Sequence, residues 1–524
     1  MCLYADFFAV RRKQGENMLE SVVKIKDKIE KFALKPTFVF VVCLIAFVFH
    51  ALAWDLAGLL IFAFVGGLFF VFLDDCRPAL TVLFFTIFVV STQNSTGFPP
   101  QSPTNPYYRP DYYLRNSTII PLVFGGCFLF GCIIFRCVRR RENFLTAKSI
   151  IPLIAVSVSL VLSGVSSAKE YHYGESVLFS LVGVASYLGL YAVLSGVTDC
   201  FDGLLDFAMT LFSGVALIIS LEIIYVYILN LLPPFEFLPD NWKNCMRSGY
   251  FFGSIMNWKP YLVTGCGVSN QSGAMLAFLL PAVFYKICTT KRYIGYELLA
   301  FLAAVSIVLS LSRTAMLVGG PLFIVLSVFV AIKLEKKSTF FIIYGAFVVL
   351  ALVTLAIITV ACDVDIIDYI RPSTGPKLNG RNKYWKMAVE YFKEAPIFGT
   401  GFAYPCYDPR FIKAVGGSFS PFRALYHSFF FQLVGSSGLC GLIAAAYALI
   451  DIAIRFIKEK FDGKFFVFCF IIAFMVASLF DIIYFVPYEV FFVMFVIVVA
   501  EKRIYKNKKD LPGKQADLQN QKDL

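Results

Sequence analysis

The sequence predicts an all-α polytopic membrane protein with about 12–14 transmembrane helices and one long extracytoplasmic loop that contains short helices. Of the 524 residues, 59% are apolar and 16% are charged, whereas soluble domains carry about 45–50% apolar and about 25% charged residues. The mean hydropathy is +0.74. Apolar runs recur from Pro36 to Ala500, and at about 20 residues each can cross a hydrocarbon core of ~30 Å. This composition excludes soluble, disordered and small disulfide-rich proteins.

Hydropathy divides the chain into three parts. Residues 1–36 form a cytoplasmic N-terminal segment, residues 37–500 the transmembrane domain, and residues 501–524 a polar cytoplasmic tail. In the first part, apolar residues recur at helical spacing, and lysines lie around the other faces. The apolar residues are Met18, Val22, Ile25, Ile29 and Phe32, and the lysines are Lys24, Lys28, Lys31 and Lys35. This pattern predicts an amphipathic helix on the inner leaflet; the alternative is packing on another cytoplasmic loop.

The orientation follows from the short connections between spans. Fourteen spans start near residues 37, 56, 79, 118, 149, 176, 204, 272, 293, 314, 339, 427, 465 and 485. With this count, every short basic cluster falls on the side of the two termini, which the positive-inside rule places in the cytoplasm. The net charge of +12 is then a consequence of topology, and no nucleic-acid motif accompanies it. Twelve or thirteen spans with a re-entrant segment are the alternative.

The longest extracytoplasmic loop covers residues 362–426 and carries many basic side chains. Long loops cross the membrane largely regardless of their charge, so this loop does not contradict the orientation. A basic loop kept outside the cell predicts an anionic ligand at the outer leaflet.

Three residues in or near this loop are candidates for chemistry. His427 stands where the loop re-enters the membrane, and an imidazole can accept a proton near neutral pH. Arg313 lies in a tight turn between two apolar spans, where an ionisable side chain is costly and therefore a candidate functional group. Arg381 precedes a short amphipathic helix, whose free N–H groups and adjacent guanidinium suit a phosphate. The alternatives are a structural role for His427 and lipid-headgroup contact for Arg313.

The helix after Arg381 is predicted from spacing. Trp385, Ala388, Val389 and Phe392 share one face, which predicts the packed side of the helix. The helix is expected to end before Pro396, and the glycines that follow predict a flexible turn over residues 398–401.

Other polar residues favour structural roles. His50 is predicted to be an interfacial residue, and His172 a surface loop residue. Asp363 and Asp365 form a DxD pair of the kind that can hold a divalent metal, but they begin an extracytoplasmic loop where nucleotide sugars are not expected. The 14 cysteines lie mostly in apolar spans and show no zinc-ligand spacing. We therefore predict neither a metal nor a cofactor.

Several motifs together resemble the O-antigen ligase/polymerase superfamily of bacteria. In chain order they are SLSRTA (310–315), GRNKYW (380–385), APIFGTGF (395–402) and YHSFFFQLVGSSGLCGLI (426–443). The resemblance is clearest from about Gly267 to Ile443. Ser428 is a departure, because many family members carry Asn after the histidine, and it leaves the orienting partner of His427 open.

The resemblance implies a glycosyltransferase at the outer face of the bacterial cytoplasmic membrane. It would transfer a glycan from a polyprenyl (undecaprenyl) diphosphate donor to a sugar hydroxyl of a glycan or glycolipid acceptor, with inversion and without a metal. The catalytic residues carry over by motif to Arg313, Arg381 and His427. Diphosphate or glycan contacts of second rank are Arg371, Lys377, Lys383 and Arg423.

Three other functions stay open at this point. A polymerase of the same superfamily would extend chains by repeat units instead of capping an acceptor. A flippase for lipid-linked glycans would place ionisable groups along a pathway near the bilayer midplane, yet the spans are almost free of charge, with Glu222 and Asp481 as exceptions. A membrane scaffold would give no reason for an arginine in the immersed turn at Arg313.

Overall fold

The structure is a computed structural model that describes residues 23–90, 115–231, 263–264, 267–291, 293–310, 312–334, 345, 349, 381–415, 426–459, 461, 463–480 and 487–520. These residues are almost entirely helical. Two two-residue strands, β1 (Val263–Thr264) and β2 (Gly267–Val268), form an antiparallel pair. The predicted all-α polytopic fold is confirmed.

The helices follow one another with short connections. In the first half of the chain they are α1 (Val23–Ala33), α2 (Pro36–Ala51), α3 (Asp55–Phe72), α4 (Arg77–Val89), α5 (Asn116–Arg139), α6 (Ile150–Tyr171), α7 (Glu175–Val197) and α8 (Leu204–Leu231). In the second half they are α9 (Ser269–Thr289), α10 (Tyr293–Leu309), α11 (Arg313–Lys333), α12 (Arg381–Glu394), α13 (Tyr404–Tyr407), α14 (Pro409–Val415), α15 (Phe429–Lys458), α16 (Lys464–Phe480) and α17 (Pro487–Asn520). A 3₁₀ turn, Arg141–Thr146, connects α5 to α6.

Eight helices in the described part of the chain are long and apolar enough to cross a membrane, and α1 with α2 would make a ninth, bent by 85°. The helices α4, α10 and α16 are apolar but shorter. Thirteen of the fourteen predicted spans begin within three residues of a helix, and the span predicted near residue 339 lies outside the described residues. The number of spans stays a prediction.

Helices α8 and α9 form the centre of the bundle. Both are apolar on nearly every face and are buried along most of their length, as expected of helices surrounded by other helices. The ring of Phe212 on α8 stacks on Phe470 of α16 at 5.5 Å, and Phe278 on α9 meets the same ring edge-on at 5.2 Å. By contrast, most of the α5 surface is exposed, as expected of a helix that faces lipid.

Polar and ionic contacts join several helices at one end of the bundle. The fully buried Arg136 at the end of α5 donates to the carbonyl of Leu73 and pairs with Asp199 after α7. Arg455 near the end of α15 pairs with Glu501 of α17 at 2.6 Å. We call this the basic end of the bundle. It carries the basic clusters that the sequence assigns to the cytoplasm.

Candidate functional site

Arg313 is held at the first position of α11 by a serine-lined turn. Ser312 caps the helix, because its hydroxyl accepts a hydrogen bond from the backbone N–H of Ala315 at 3.2 Å. The hydroxyl of Ser310 accepts from the N–H of Ser312 and donates to the carbonyl of Ile307. Both serines are buried, whereas Arg313 is exposed. The turn therefore fixes the backbone and leaves the guanidinium outside it.

A small residue on α9 allows this turn to pack closely. A Cβ on Gly273 would come within 2.8 Å of the Cβ of Ala315 and would overlap the hydroxyl of Ser310. The SNQSG segment at the start of α9 thus supports the turn that carries Arg313. Its resemblance to the family was visible in the sequence, but its contact with residues 310–315 was not.

Arg381 is the first residue of α12, as predicted. Its guanidinium donates to the backbone carbonyl of Phe480, the last residue of α16. The side chain is partly buried. The N-terminus of α12 therefore lies against the C-terminus of α16.

His427 stands immediately before α15 in a left-handed backbone conformation, with φ of +48°. A non-glycine residue in this region is uncommon and is often found at functional sites. Its ring lies 5.5 Å from the ring of Tyr384 on α12. Because Tyr384 follows Arg381 by three residues, both project from the same side of the helix. The structure thus brings His427 and Arg381 together at the first turn of α12.

Trp385 ties α12 to the backbone beside His427. Its indole N–H donates to the carbonyl of Tyr426 at 3.0 Å, and its ring stacks on Phe431 at 4.9 Å with an interplanar angle of 12°. The carbonyl of Tyr426 belongs to the peptide that precedes His427. The same helix therefore carries Arg381 and restrains the backbone of the histidine.

The predicted packed face of α12 is wrong in part. Ala388 is buried as expected, but Val389 is exposed, and the other buried residues of the helix are Met387 and Tyr391. The buried face is displaced because Tyr391 satisfies its hydroxyl inside, where it donates to Asp408 at 2.9 Å. The predicted end of the helix before Pro396 is confirmed.

Arg313 lies at the same level of the bundle as these residues. Phe329 of α11 stacks on Phe465 of α16 at 4.1 Å, so the two helices run antiparallel. Arg313 precedes Phe329 by 16 residues and Phe480 follows Phe465 by 15. At ~1.5 Å per residue, both lie ~24 Å from this stack. Arg313 is therefore level with Phe480, whose carbonyl binds Arg381, at the end opposite the basic end.

The second-rank candidates are only partly described. Lys383 lies on α12 and is exposed. Arg371, Lys377 and Arg423 lie outside the described residues, as do Asp363 and Asp365.

The turn after α12 is tied down, in contrast to the predicted flexible turn. The N–H groups of Thr400 and Gly401 donate to the carbonyls of Gly435 and Ser436, which lie in a π-helical turn of α15. Gly399 has φ of +71°, and a Cβ there would overlap the backbone of Ser436. The APIFGTGF and GSSG segments therefore dock backbone to backbone, and this docking fixes the start of α15 next to His427.

We expect Gly399→Ala to lower the free energy of unfolding by ~2–3 kcal/mol, because alanine is strained at positive φ and its Cβ overlaps Ser436. Thermal unfolding of the purified protein in detergent measures the loss. Gly131→Ala is the matched control, since Gly131 lies on α5 with open space around its Cβ position. An equal and small effect of both substitutions would contradict the docking described here.

Arg410 is a further loop cation, and it is already neutralised. It pairs with Glu394 at 2.6 Å and with Asp408 at 2.7 Å. Burial raises the pKa of the Asp408 carboxyl, but hydrogen bonds from Arg410 and Tyr391 outweigh burial and hold that pKa below its ordinary value. Both carboxylates stay ionised, so Arg410 serves the structure of the loop.

Two buried groups differ from the sequence predictions. His50, predicted to be interfacial, is buried, and its Nδ1 lies 2.8 Å from the carbonyl of Val90 and 3.5 Å from a carboxylate oxygen of Glu222. Glu222, which the sequence left without a role, is fully buried. The signal was the presence of one histidine and one acid in otherwise apolar spans.

The candidate site differs from the metal and cavity features of the chain. The described residues contain no group of three or more His, Cys, Asp or Glu side chains that could hold a metal ion. A cavity of about 620 Å³ lies at the basic end, where Arg140, Asn143, Asp199 and Lys502 are among its lining residues. The arginines and the histidine lie at the other end.

Comparison with known proteins supports this grouping. Residues 298–446, less than a third of the chain, match the family model described as O-Antigen ligase. The matched segment contains Arg313, Arg381 and His427. No curated protein matches the chain. The family match confirms, through residues 298–446, that this multi-pass membrane protein belongs with the O-antigen ligase/polymerase-like superfamily.

Proposed function

We propose that the protein is a membrane glycosyltransferase of the O-antigen ligase type, which transfers a glycan from undecaprenyl diphosphate to a sugar hydroxyl of an acceptor. The observation that carries the proposal is the placement of His427 and Arg381 at the first turn of α12, with Arg313 at the same level of the bundle. By the positive-inside rule, this end faces away from the cytoplasm. Lipid-linked glycan donors would reach it from the outer leaflet.

In the proposed reaction, the acceptor oxygen attacks the anomeric carbon of the donor sugar. A new C–O bond forms while the bond to the diphosphate oxygen breaks with inversion, and His427 accepts the acceptor proton. The leaving undecaprenyl diphosphate gains negative charge, which the guanidinium groups of Arg313 and Arg381 stabilise. These cations supply the positive charge that a divalent metal supplies in other transferases.

Arg381 has a backbone partner in the structure, the carbonyl of Phe480. A guanidinium has five N–H donors, so one bond to Phe480 leaves others for phosphate oxygens. That bond also fixes the direction of the side chain, which favours a rigid diphosphate contact.

Purified protein in proteoliposomes, supplied with an undecaprenyl-diphosphate glycan and an acceptor glycolipid, tests the proposal. We expect glycan to move to the acceptor and undecaprenyl diphosphate to be released. Movement of intact donor across the bilayer without transfer would replace the proposal with a flippase. A ladder of products from donor alone would identify a polymerase of the same superfamily.

Trp385 is predicted to act as a positioning residue for His427. Trp385→Phe keeps the stack on Phe431 but removes the N–H that binds the carbonyl of Tyr426. We expect kcat to fall by ~10-fold with an unchanged KM for the donor, because one hydrogen bond contributes about 1 kcal/mol and misplaces a group used only in the chemical step. Trp54→Phe, the same change at an exposed position, is the control, and a wild-type kcat for Trp385→Phe would rule the role out.

A further inference from the structure

The N-terminal helix α1 is fixed against the bundle by one face. It meets α2 at 85°. Lys26 pairs with Asp74 at 2.6 Å, the carboxylate of Glu30 accepts from the N–H of Asp75 at 3.0 Å, and Ala33 is buried. These three residues follow helical spacing and form one stripe. The predicted amphipathic helix therefore exists over residues 23–33, and the connection between α3 and α4 sets its rotation about its own axis.

The faces turned away from the bundle carry two parallel stripes. Ile25, Ile29 and Phe32 form an apolar stripe, with exposed fractions of 56%, 41% and 47%. A lysine row lies beside it, one residue earlier at each step, and consists of Lys24, Lys28, Lys31 and Lys35. All four lysines are exposed. Asp27, which pairs with Lys31 at 2.7 Å, is the acidic residue next to this row.

The position of α1 places both stripes at a membrane surface. Because α2 begins three residues after α1 and continues as an apolar helix toward the other end of the bundle, the 85° bend lays α1 across that helix. Asp74 also pairs with Arg139 at the end of α5 at 3.1 Å. The helix therefore lies at the basic end, level with the boundary between the apolar helices and the charged termini.

We propose that α1 is a binding surface for anionic phospholipids of the leaflet at the basic end. The apolar stripe enters the boundary between acyl chains and headgroups, and the lysine row contacts the phosphates. Charge complementarity selects this occupant: the row has four lysines and one neighbouring carboxylate, and Arg139 adds a cation beside it. The fixed rotation of α1 presents both stripes at once. A second copy of the chain would meet the same basic row and be repelled.

The test uses the full-length protein in nanodiscs of phosphatidylcholine with one quarter phosphatidylglycerol. Phe32→Trp introduces a reporter in the apolar stripe, and the signal of the native tryptophans is subtracted by a parallel measurement without it. Bromine-labelled acyl chains are placed on one lipid at a time. We expect ~3-fold stronger quenching per molecule by phosphatidylglycerol than by phosphatidylcholine, and this preference should shrink in 0.5 M salt, because charges exposed to solvent are screened.

Two sets of charge substitutions separate the lysine row from total charge. Replacing Lys24, Lys28, Lys31 and Lys35 by Gln in the reporter protein should bring the quenching ratio to 1 while quenching itself persists. Replacing Lys169, Lys386, Lys393 and Lys413, which are exposed far from α1, should leave the ratio unchanged. Absence of quenching by either lipid, or a ratio of 1 for the unsubstituted row at low salt, would overturn the proposal. The salt series provides the same decision if a multiple variant does not fold.

Discussion

His427→Asn protein is expected to fold, insert and bind the lipid-linked donor, yet to transfer glycan with a kcat lower by ~10²–10⁴-fold, the range that general base catalysis contributes. Asparagine tolerates the left-handed backbone that His427 adopts, so the substitution keeps the local fold. Its amide cannot accept the acceptor proton. The measurements are single-turnover transfer at saturating donor and, separately, donor binding to the same preparation.

A histidine elsewhere in the chain provides a close control for this substitution. His172 also has a left-handed backbone, with φ of +60°, and it is exposed after α6. We expect His172→Asn to transfer glycan at the wild-type rate. Near-normal transfer by His427→Asn would show that another group accepts the proton. Loss of donor binding together with transfer would instead assign His427 to substrate recognition.

Removing either arginine is expected to cost ~2–4 kcal/mol of transition-state stabilisation, by analogy with the loss of an oxyanion donor. That cost corresponds to a ~30–900-fold lower kcat/KM for Arg313→Ala and for Arg381→Ala. Arg381→Ala also leaves the carbonyl of Phe480 without its partner, so thermal unfolding is measured in parallel. Arg381→Lys keeps a positive charge but loses bidentate geometry, and an intermediate rate is expected.

Lys383→Gln is the control for these arginine variants. Lys383 is exposed on the same helix as Arg381, and as a second-rank contact its loss should change kcat/KM by less than ~10-fold, as expected for a solvent-exposed charge. Equal losses for Lys383→Gln and Arg381→Ala would mean that total loop charge, and no particular guanidinium, binds the donor.

The fold was predictable because hydrophobicity is local. A span is a continuous apolar run, so its start is visible without knowledge of its neighbours, and Arg313 stands out as a charge between two such runs. The start of α12 at Arg381 was predictable for the same reason, from helical spacing and the Pro396 that follows.

The pairings between distant segments were not predictable. His427 and Tyr384 are 43 residues apart, and no local pattern requires their contact. The docking of residues 399–401 on residues 435–436 uses backbone groups, which every residue carries, so its only trace in the sequence is the glycines that permit close approach. The packed face of α12 was misassigned because the hydroxyl of Tyr391 finds a buried partner, Asp408, that spacing does not reveal.

The central claim is that two guanidinium groups and one imidazole form one diphosphate-sugar site at the end of the bundle opposite the basic end. A cryo-EM structure of the protein with bound undecaprenyl diphosphate tests it most directly. We predict phosphate oxygens within hydrogen-bonding distance of Arg313 and Arg381, with the lipid-free side of the diphosphate facing His427. Diphosphate density beside Arg140 and Lys502 in the cavity at the basic end, with none near Arg381, would contradict it.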